Sequence, residues 1–148
     1  KVMFPGLRIG YAVLPEALVA PFRRAKWLAD RNTPALEQAA LTDFIAEGHL
    51  ERHIRRMRRL YGQRRQVLVD ALHERFGDQI ELLGDAAGMH VAVRFADADI
   101  AERAIRNKVQ MLSTREYYLG KARRDEFILG FSALNERTIR EGVRRLVL

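Results

Sequence analysis

A helical repeat runs from about Leu50 to Phe76, and at Gly77 the period of the pattern changes. Leu50, Ile54, Met57, Tyr61, Leu68, Leu72 and Phe76 recur at close to 3.6 residues, which is one face of a long helix. Arginines fill the opposite face. Gly62 inside it costs roughly 1 kcal/mol, which a packed helix of this length tolerates. Beyond Gly77 the period is two: Met89, Val91, Val93 and Phe95 alternate with His90, Ala92 and Arg94, a strand buried on one face. A long helix must therefore lead into a small sheet. The switch divides the chain into residues 1–76 and 77–148.

The rest follows from local signals. "LRIGYAVL" (Leu7 to Leu14) is apolar and β-prone and predicts a buried strand. Pro15 opens a helix to about Ala29, with apolar Leu18, Val19, Phe22 and Trp27, and Pro21 inside that run starts or kinks it. Thr33 is the predicted N-cap of a helix with Pro34 in its first position, ending at Gly48. Strands are predicted at Ile80–Leu83 and His90–Phe95 on either side of "GDAAG", and again in "VQMLST" and "EFILGFSA". Asp99 and Glu102 resemble a capping box for a helix through Ile105. Asn135 caps a last helix whose buried face is Ile139, Val143, Leu146 and Val147. The first strand has no neighbour of its own, so its sheet must be supplied elsewhere, as expected of the C-terminal part of a longer protein.

Composition excludes several classes. With 48% hydrophobic and 30% charged residues, the chain reads as a soluble globular protein. Its most apolar stretch, "IGYAVLPEALVAPF", is too short to span a bilayer, and no signal peptide is expected. There is no cysteine, so disulfides, thiol catalysis and cysteine metal sites are absent, which fits a reducing compartment. Ser113 and Ser132 lack a nucleophile-elbow context. His49 and His53 have the spacing of metal ligands without a supporting carboxylate trio, and no metal is expected. The net charge of +7 is concentrated in "ERHIRRMRRLYGQRRQ". That run can be a solvated helix face, a contact with another part of a larger protein, or a nucleic-acid surface.

One segment has the residues for chemistry. In "KVMFPGLRIG", Lys1 and Arg8 flank a Pro5-Gly6 turn. Such a turn can bring two cations to one point, where a phosphate would answer them. A lysine beside another cation and poorly solvated loses proton affinity and becomes an amine nucleophile toward an aldehyde. By spacing alone, two solvent-exposed cations on a loop remain the other reading.

"KVMFPGLRIGYAVLP" resembles the active-site lysine segment of fold type I pyridoxal-phosphate enzymes of the class I/II aminotransferase family. The family pattern is Lys, a short spacer, Pro-Gly, one residue, Arg, then a strand. "DRNTPALEQAALTDFIAEGHLERHIRRMRRLYGQRRQVLVDAL", "AAGMHVAVRF", "LSTREYYLG" and "FILGFSALNERTIREGVRRL" are similar to the subgroup fused to a GntR-type winged-helix domain, the MocR-type regulators. The resemblance implies an α/β fold, with the C-terminal part of a pyridoxal-phosphate transferase and an α+β small domain built on a mainly antiparallel sheet. It implies pyridoxal 5'-phosphate as cofactor, with Lys1 as catalytic Schiff-base lysine and Arg8 as phosphate ligand. The other cofactor contacts would lie upstream of Lys1.

The resemblance further implies a cytoplasmic homodimer that meets DNA only through an N-terminal domain lying outside these residues, and no membrane. Its effector would be a small-molecule amine or amino acid, sensed through aldimine exchange. A plain class I/II amino-acid aminotransferase is the alternative, and the fragment alone is expected to be inactive. One position departs from the pattern. Many aminotransferases of the family place an arginine for the substrate α-carboxylate where this chain has Ile128. Arg115, Arg123 and Arg124 are the neighbouring candidates for that task, and the substitution tilts the reading toward a regulator.

Overall fold

The computed structural model describes residues 8–84, 88–121, 123 and 125–148. It divides into two compact units, one up to Arg56 and one from Met57 onward. Residues 1–7, with Lys1, and most of the "GDAAG" turn lie outside the described residues.

In the first unit, residues 8–14 form no strand, and Tyr11 and Val13 are 95% and 88% exposed. The expected strand does not form because its N–H and C=O groups need a ladder partner, and this unit has no second strand among the described residues. Helix α1 (Glu16–Ala29) begins after Pro15, whose carbonyl accepts from the N–H of Leu18 at 2.9 Å. It runs through Pro21 and does not start there. The proline removes one bond, that to the Ala17 carbonyl, and on an exposed helix water replaces it. Helix α2 (Ala35–Ala46) has Pro34 in the cap position and no side-chain cap. Thr33 therefore does not cap it; its carbonyl accepts from Gln38 Nε2 at 3.2 Å. Gly48 ends the turn after α2 with φ +71, where glycine avoids a Cβ clash, as the sequence predicts. Neither helix buries a residue, and Leu18, Phe22 and Trp27 stay exposed.

Helix α3 (His49–Phe76) is the long helix of the sequence pattern. Its stripe is fully buried only near its end, at Val67, Leu68, Ala71, Leu72 and Phe76, while Leu50, Ile54, Met57 and Tyr61 are half-buried. Gly77, at φ +52, takes the chain out of the helix. A short turn leads into β1 (Ile80–Gly84), followed by β2 (His90–Phe95), α4 (Ile100–Arg106), β3 (Leu112–Ser113), β4 (Glu126–Gly130) and α5 (Glu136–Arg145). The sheet order is β1-β2-β4-β3, every pair antiparallel, as expected. Strand β3 keeps only two of the six residues of "VQMLST", because β4 offers partners to Leu112 and Ser113 alone.

Val91, Val93 and Phe95 of β2 alternate inward with Phe127 and Leu129 of β4, and α3, α4 and α5 cover this face. Phe95 lies edge-on to Phe76 at 5.2 Å and to Phe127 at 6.2 Å between ring centroids. From α5, Ile139, Val143 and Leu146 enter the core, but Val147 is exposed because the helix ends at Arg145. Asn135 Oδ1 accepts from the Thr138 N–H at 2.9 Å, the predicted cap. The Asp99 side chain makes no cap; instead Asp97 Oδ1 accepts from the Asp99 N–H at 2.9 Å. The C-terminal carbonyls of Arg145 and Leu146 are met by Asn107 Nδ2 and Arg103 Nη1.

After α4 the chain turns through Lys108 at φ +56, with the Val109 N–H bonded to the Ala104 carbonyl at 2.8 Å. A non-glycine residue in this helix-ending position is strained. Lys108→Gly is expected to raise stability by about 0.5 to 1 kcal/mol, read as a higher urea midpoint at unchanged slope.

Candidate functional site

The first unit presents Arg8 in a hollow of about 440 Å³ with Tyr11, Lys26, Asp30 and Thr33. Arg8 has φ +51, a region that costs a non-glycine residue about 1 kcal/mol. Strain of this kind collects at functional positions. Lys26 Nζ is held by both carboxylate oxygens of Asp30 at 2.9 Å. Arg8 is exposed and has no carboxylate partner among the described residues, and its guanidinium carries five N–H donors that can meet an anion. That donor set fits a phosphate, the group the resemblance assigns to it. Lys1, the expected Schiff-base residue, lies outside the described residues.

The second unit carries its chemistry on the sheet face turned away from the core. Register sets Glu81 opposite Arg94, Arg94 opposite Glu126, and Ala92 and Leu112 opposite Ile128. Glu126 is only 1% exposed although charged. Its Oε1 accepts from Arg94 Nε at 3.0 Å and Nη2 at 2.8 Å, and its Oε2 accepts from the Tyr118 hydroxyl. Thr114 Oγ1 donates to the Glu126 carbonyl at 3.3 Å, and Arg94 also donates to Glu81. The tyrosine hydrogen bond holds the Glu126 carboxyl below the ordinary range, with Arg94 assisting against the cost of burial. The same bond pushes the Tyr118 hydroxyl up.

This network occupies Arg123, one of the candidates for a ligand carboxylate, which is 3.4 Å from both Asp125 and Glu126. The Arg123 hydrogen bond in turn lowers the Asp125 carboxyl. Arg115 is exposed and Arg124 lies outside the described residues. Ile128 itself is half-buried and lines a groove with Leu112, Leu134 and Ser132. Sequence reasoning missed the Glu126 network. The signal available to it was the pair Arg94 and Glu126 on polar strand positions, but only the pairing register joins them.

His49 and His73 serve local structure, the latter bonding through Nδ1 to the Val69 carbonyl at 3.0 Å. His49 Nε2 meets Glu47 at 2.9 Å, its Nδ1 meets Arg52 Nη2 at 2.8 Å, and its ring stacks on Phe44. No group of three metal-ligating side chains occurs among the described residues. Ser113 Oγ accepts from the Arg115 N–H, and the Ser132 carbonyl accepts from Arg64 Nη1. Among the described residues no helix is long and apolar enough to cross a membrane.

The model of the family "Aminotransferase class I and II" matches residues 2–146. The chain is 34% identical to "Probable rhizopine catabolism regulatory protein MocR" of Rhizobium meliloti, over 99% of its own length and 30% of that relative's. In fold it is similar to the multiple substrate aminotransferase of Thermococcus profundus, with a TM-score of 0.86 and 29% identity, covering 97% of this chain and 36% of that one. It is likewise similar to LysN, the alpha-aminoadipate aminotransferase of Thermus thermophilus, solved with N-(5'-phosphopyridoxyl)-L-leucine. There the TM-score is 0.85 and the identity 26%, over 99% of this chain and 39% of that one. The chain thus spans about a third of the length of the proteins it matches. A matching model over nearly every residue, with the same fold in solved aminotransferases, establishes that the chain belongs to the class I and II aminotransferase family.

Proposed function

We propose that these residues form part of the pyridoxal 5'-phosphate-binding, aminotransferase-like effector domain of a GntR/MocR-type transcriptional regulator. One observation carries the reading: Arg8, seven residues after Lys1, has no carboxylate partner among the described residues, in a chain that aligns almost completely with the MocR relative. The cofactor, when bound, supplies an aldehyde that condenses with amines and a ring that withdraws electrons from the neighbouring carbon. Lys1 Nζ would be the amine that holds it and, as a free amine, a base able to carry a proton. The Arg8 guanidinium would neutralise its phosphate and orient it.

The ligand would be a small amine or amino acid. Ile128 at the expected carboxylate position, with Arg94 and Arg123 already held by carboxylates, favours sensing over efficient transamination. We place the functional boundary at Gly77, with residues 1–76 on the cofactor side and 77–148 as the small domain. The exposed apolar side chains of α1 and α2 suit packing against the rest of a larger domain. Binding would shift the population of domain arrangements and so reposition an N-terminal DNA-binding module. The whole protein would be a cytoplasmic homodimer. A second reading, a plain amino-acid aminotransferase, is favoured by the likeness to the Thermococcus enzyme.

Borohydride reduction of the whole protein loaded with pyridoxal 5'-phosphate, followed by peptide mass spectrometry, is expected to find the cofactor on Lys1. Finding it on any other lysine overturns the site. Rapid keto-acid formation from an ordinary amino acid would sink the sensor reading and leave the enzyme.

A further inference from the structure

Beside the core of the second unit, α5 and the end of α3 border an open groove that the proposed cofactor chemistry does not use. Its rim carries Arg75, Arg137, Arg140, Arg144 and Arg145 against two carboxylates, Glu136 and Glu141. Glu141 is fully engaged: Arg144 Nε and Nη2 donate to it at 2.8 and 2.9 Å, and Arg145 Nε donates at 2.8 Å. These two arginines hold the Glu141 carboxyl down at about 2, so it stays charged and occupied. Arg75, Arg137 and Arg140 are exposed and have no ion-pair partner among the described residues. Arg137 and Arg140 are three apart on one helix, so their like charges repel. Arg144 and Arg145 are accounted for by Glu141 and by their place in the last turn of α5, and Arg75 lies in the last turn of α3. Neither reason covers Arg137 and Arg140, whose side chains extend the positive line along the groove and suit an external polyanion.

The span of the rim says which polyanion. Arg137 to Arg144 covers two turns of α5, about 10 Å. Arg75 approaches from a second helix, so the charge forms a line and not a point. The groove is open, which suits a long ligand passing through more than a small one enclosed. Duplex DNA carries one charge per about 1.7 Å of axis and meets such a line with several phosphates. The net charge of +7 and pI of about 10.3 act in the same direction at longer range.

We propose that the groove between the end of α3 and α5 binds the phosphate backbone of duplex DNA without reading its sequence, through Arg75, Arg137 and Arg140. The contact is separate from the expected winged-helix contact and does not depend on the cofactor reading. In a regulator it would let the effector domain hold flanking DNA.

Fluorescence anisotropy of the purified protein on a random-sequence duplex of about 30 base pairs, at about 50 to 200 mM salt, tests it. The triple variant Arg75→Gln, Arg137→Gln, Arg140→Gln is expected to bind more weakly by on the order of a hundred-fold or more at about 0.1 M salt. The slope of log affinity against log salt should fall by about three. Arg106→Gln, on α4, controls for bulk charge and should leave affinity nearly unchanged. Should the triple variant melt early by circular dichroism, Arg140→Gln alone is expected to lower the slope by about one. Unchanged affinity and slope in a folded variant would overturn the proposal, as would an equal loss in Arg106→Gln. Loss of binding to phosphatidylserine vesicles with DNA binding intact would also overturn it and assign the groove to a membrane surface. Because the readout is DNA affinity without added pyridoxal phosphate, its failure is distinct from failure of the lysine assignment.

Discussion

Phe95→Ala is expected to lower the stability of the second unit by about 4 kcal/mol. The ring is 1% exposed and is wedged edge-on between Phe76, from the end of α3, and Phe127, from β4. Truncation loses the transfer free energy of the ring and the two aromatic contacts, and leaves a cavity between a helix and a sheet that cannot both move in. Domains of this size keep only about 5 to 15 kcal/mol in total, so the loss is a large share of the margin. Urea unfolding followed by far-ultraviolet circular dichroism measures it. Trp27, the single tryptophan, lies exposed in the first unit, so its fluorescence would not follow this core. Phe22→Ala, on the exposed side of α1, should shift the same transition by under about 0.5 kcal/mol. Equal effects from the two changes would contradict the burial pattern.

Glu126→Ala is expected to cost about 3 kcal/mol. The loss comes from what stays behind: among the described residues Arg94 keeps Glu81 as its one ion-pair partner, and the Tyr118 hydroxyl and Thr114 lose their carboxylate partner. Glu126→Gln keeps the shape but not the charge and should cost less. The two glutamate variants separate charge from packing through pH. The folded-state pKa of Glu126 is lowered below its ordinary value of 4.5, so its stabilisation is present in full above that value. It is lost as pH falls through the lower folded-state value. The gap between wild type and Glu126→Gln should therefore be constant near neutrality and shrink below about pH 4.5. A gap that stays constant into strong acid would mean the carboxylate charge plays no part.

The same network bears on ligand choice. It ties the segment around Thr114 and Tyr118 to β4 beside Ile128, and it uses the guanidiniums of Arg94 and Arg123. A ligand reaching this face meets an apolar side chain at 128 and arginines already neutralised. None of this could be read from the strand pattern, in which Arg94 was one polar position among others and Glu126 the first residue of a strand.

The roles of Arg8 and Lys1 rest on resemblance and stay a proposal. By spacing they were two cations at a turn, and the resemblance to a cofactor-binding segment gave them a role. The left-handed backbone of Arg8 was not legible, because nothing in the choice of arginine predicts a positive φ.

Where one helix turn or one pair of neighbours decides, the sequence was enough. The period of α3, the alternation of β2, the Asn135 cap and the glycines at 48 and 77 all act within a few residues, where sterics and hydrogen bonds are local. Tertiary structure decided whatever needs a distant partner. Residues 8–14 have β-prone side chains but no ladder, so they are not a strand. "VQMLST" pairs for two residues because β4 meets only those two. Glu126 becomes a buried charge because β2 and β4 align it with Arg94, thirty-two residues away in sequence. Strand register and burial are properties of two segments together, and no single stretch of the chain contains them.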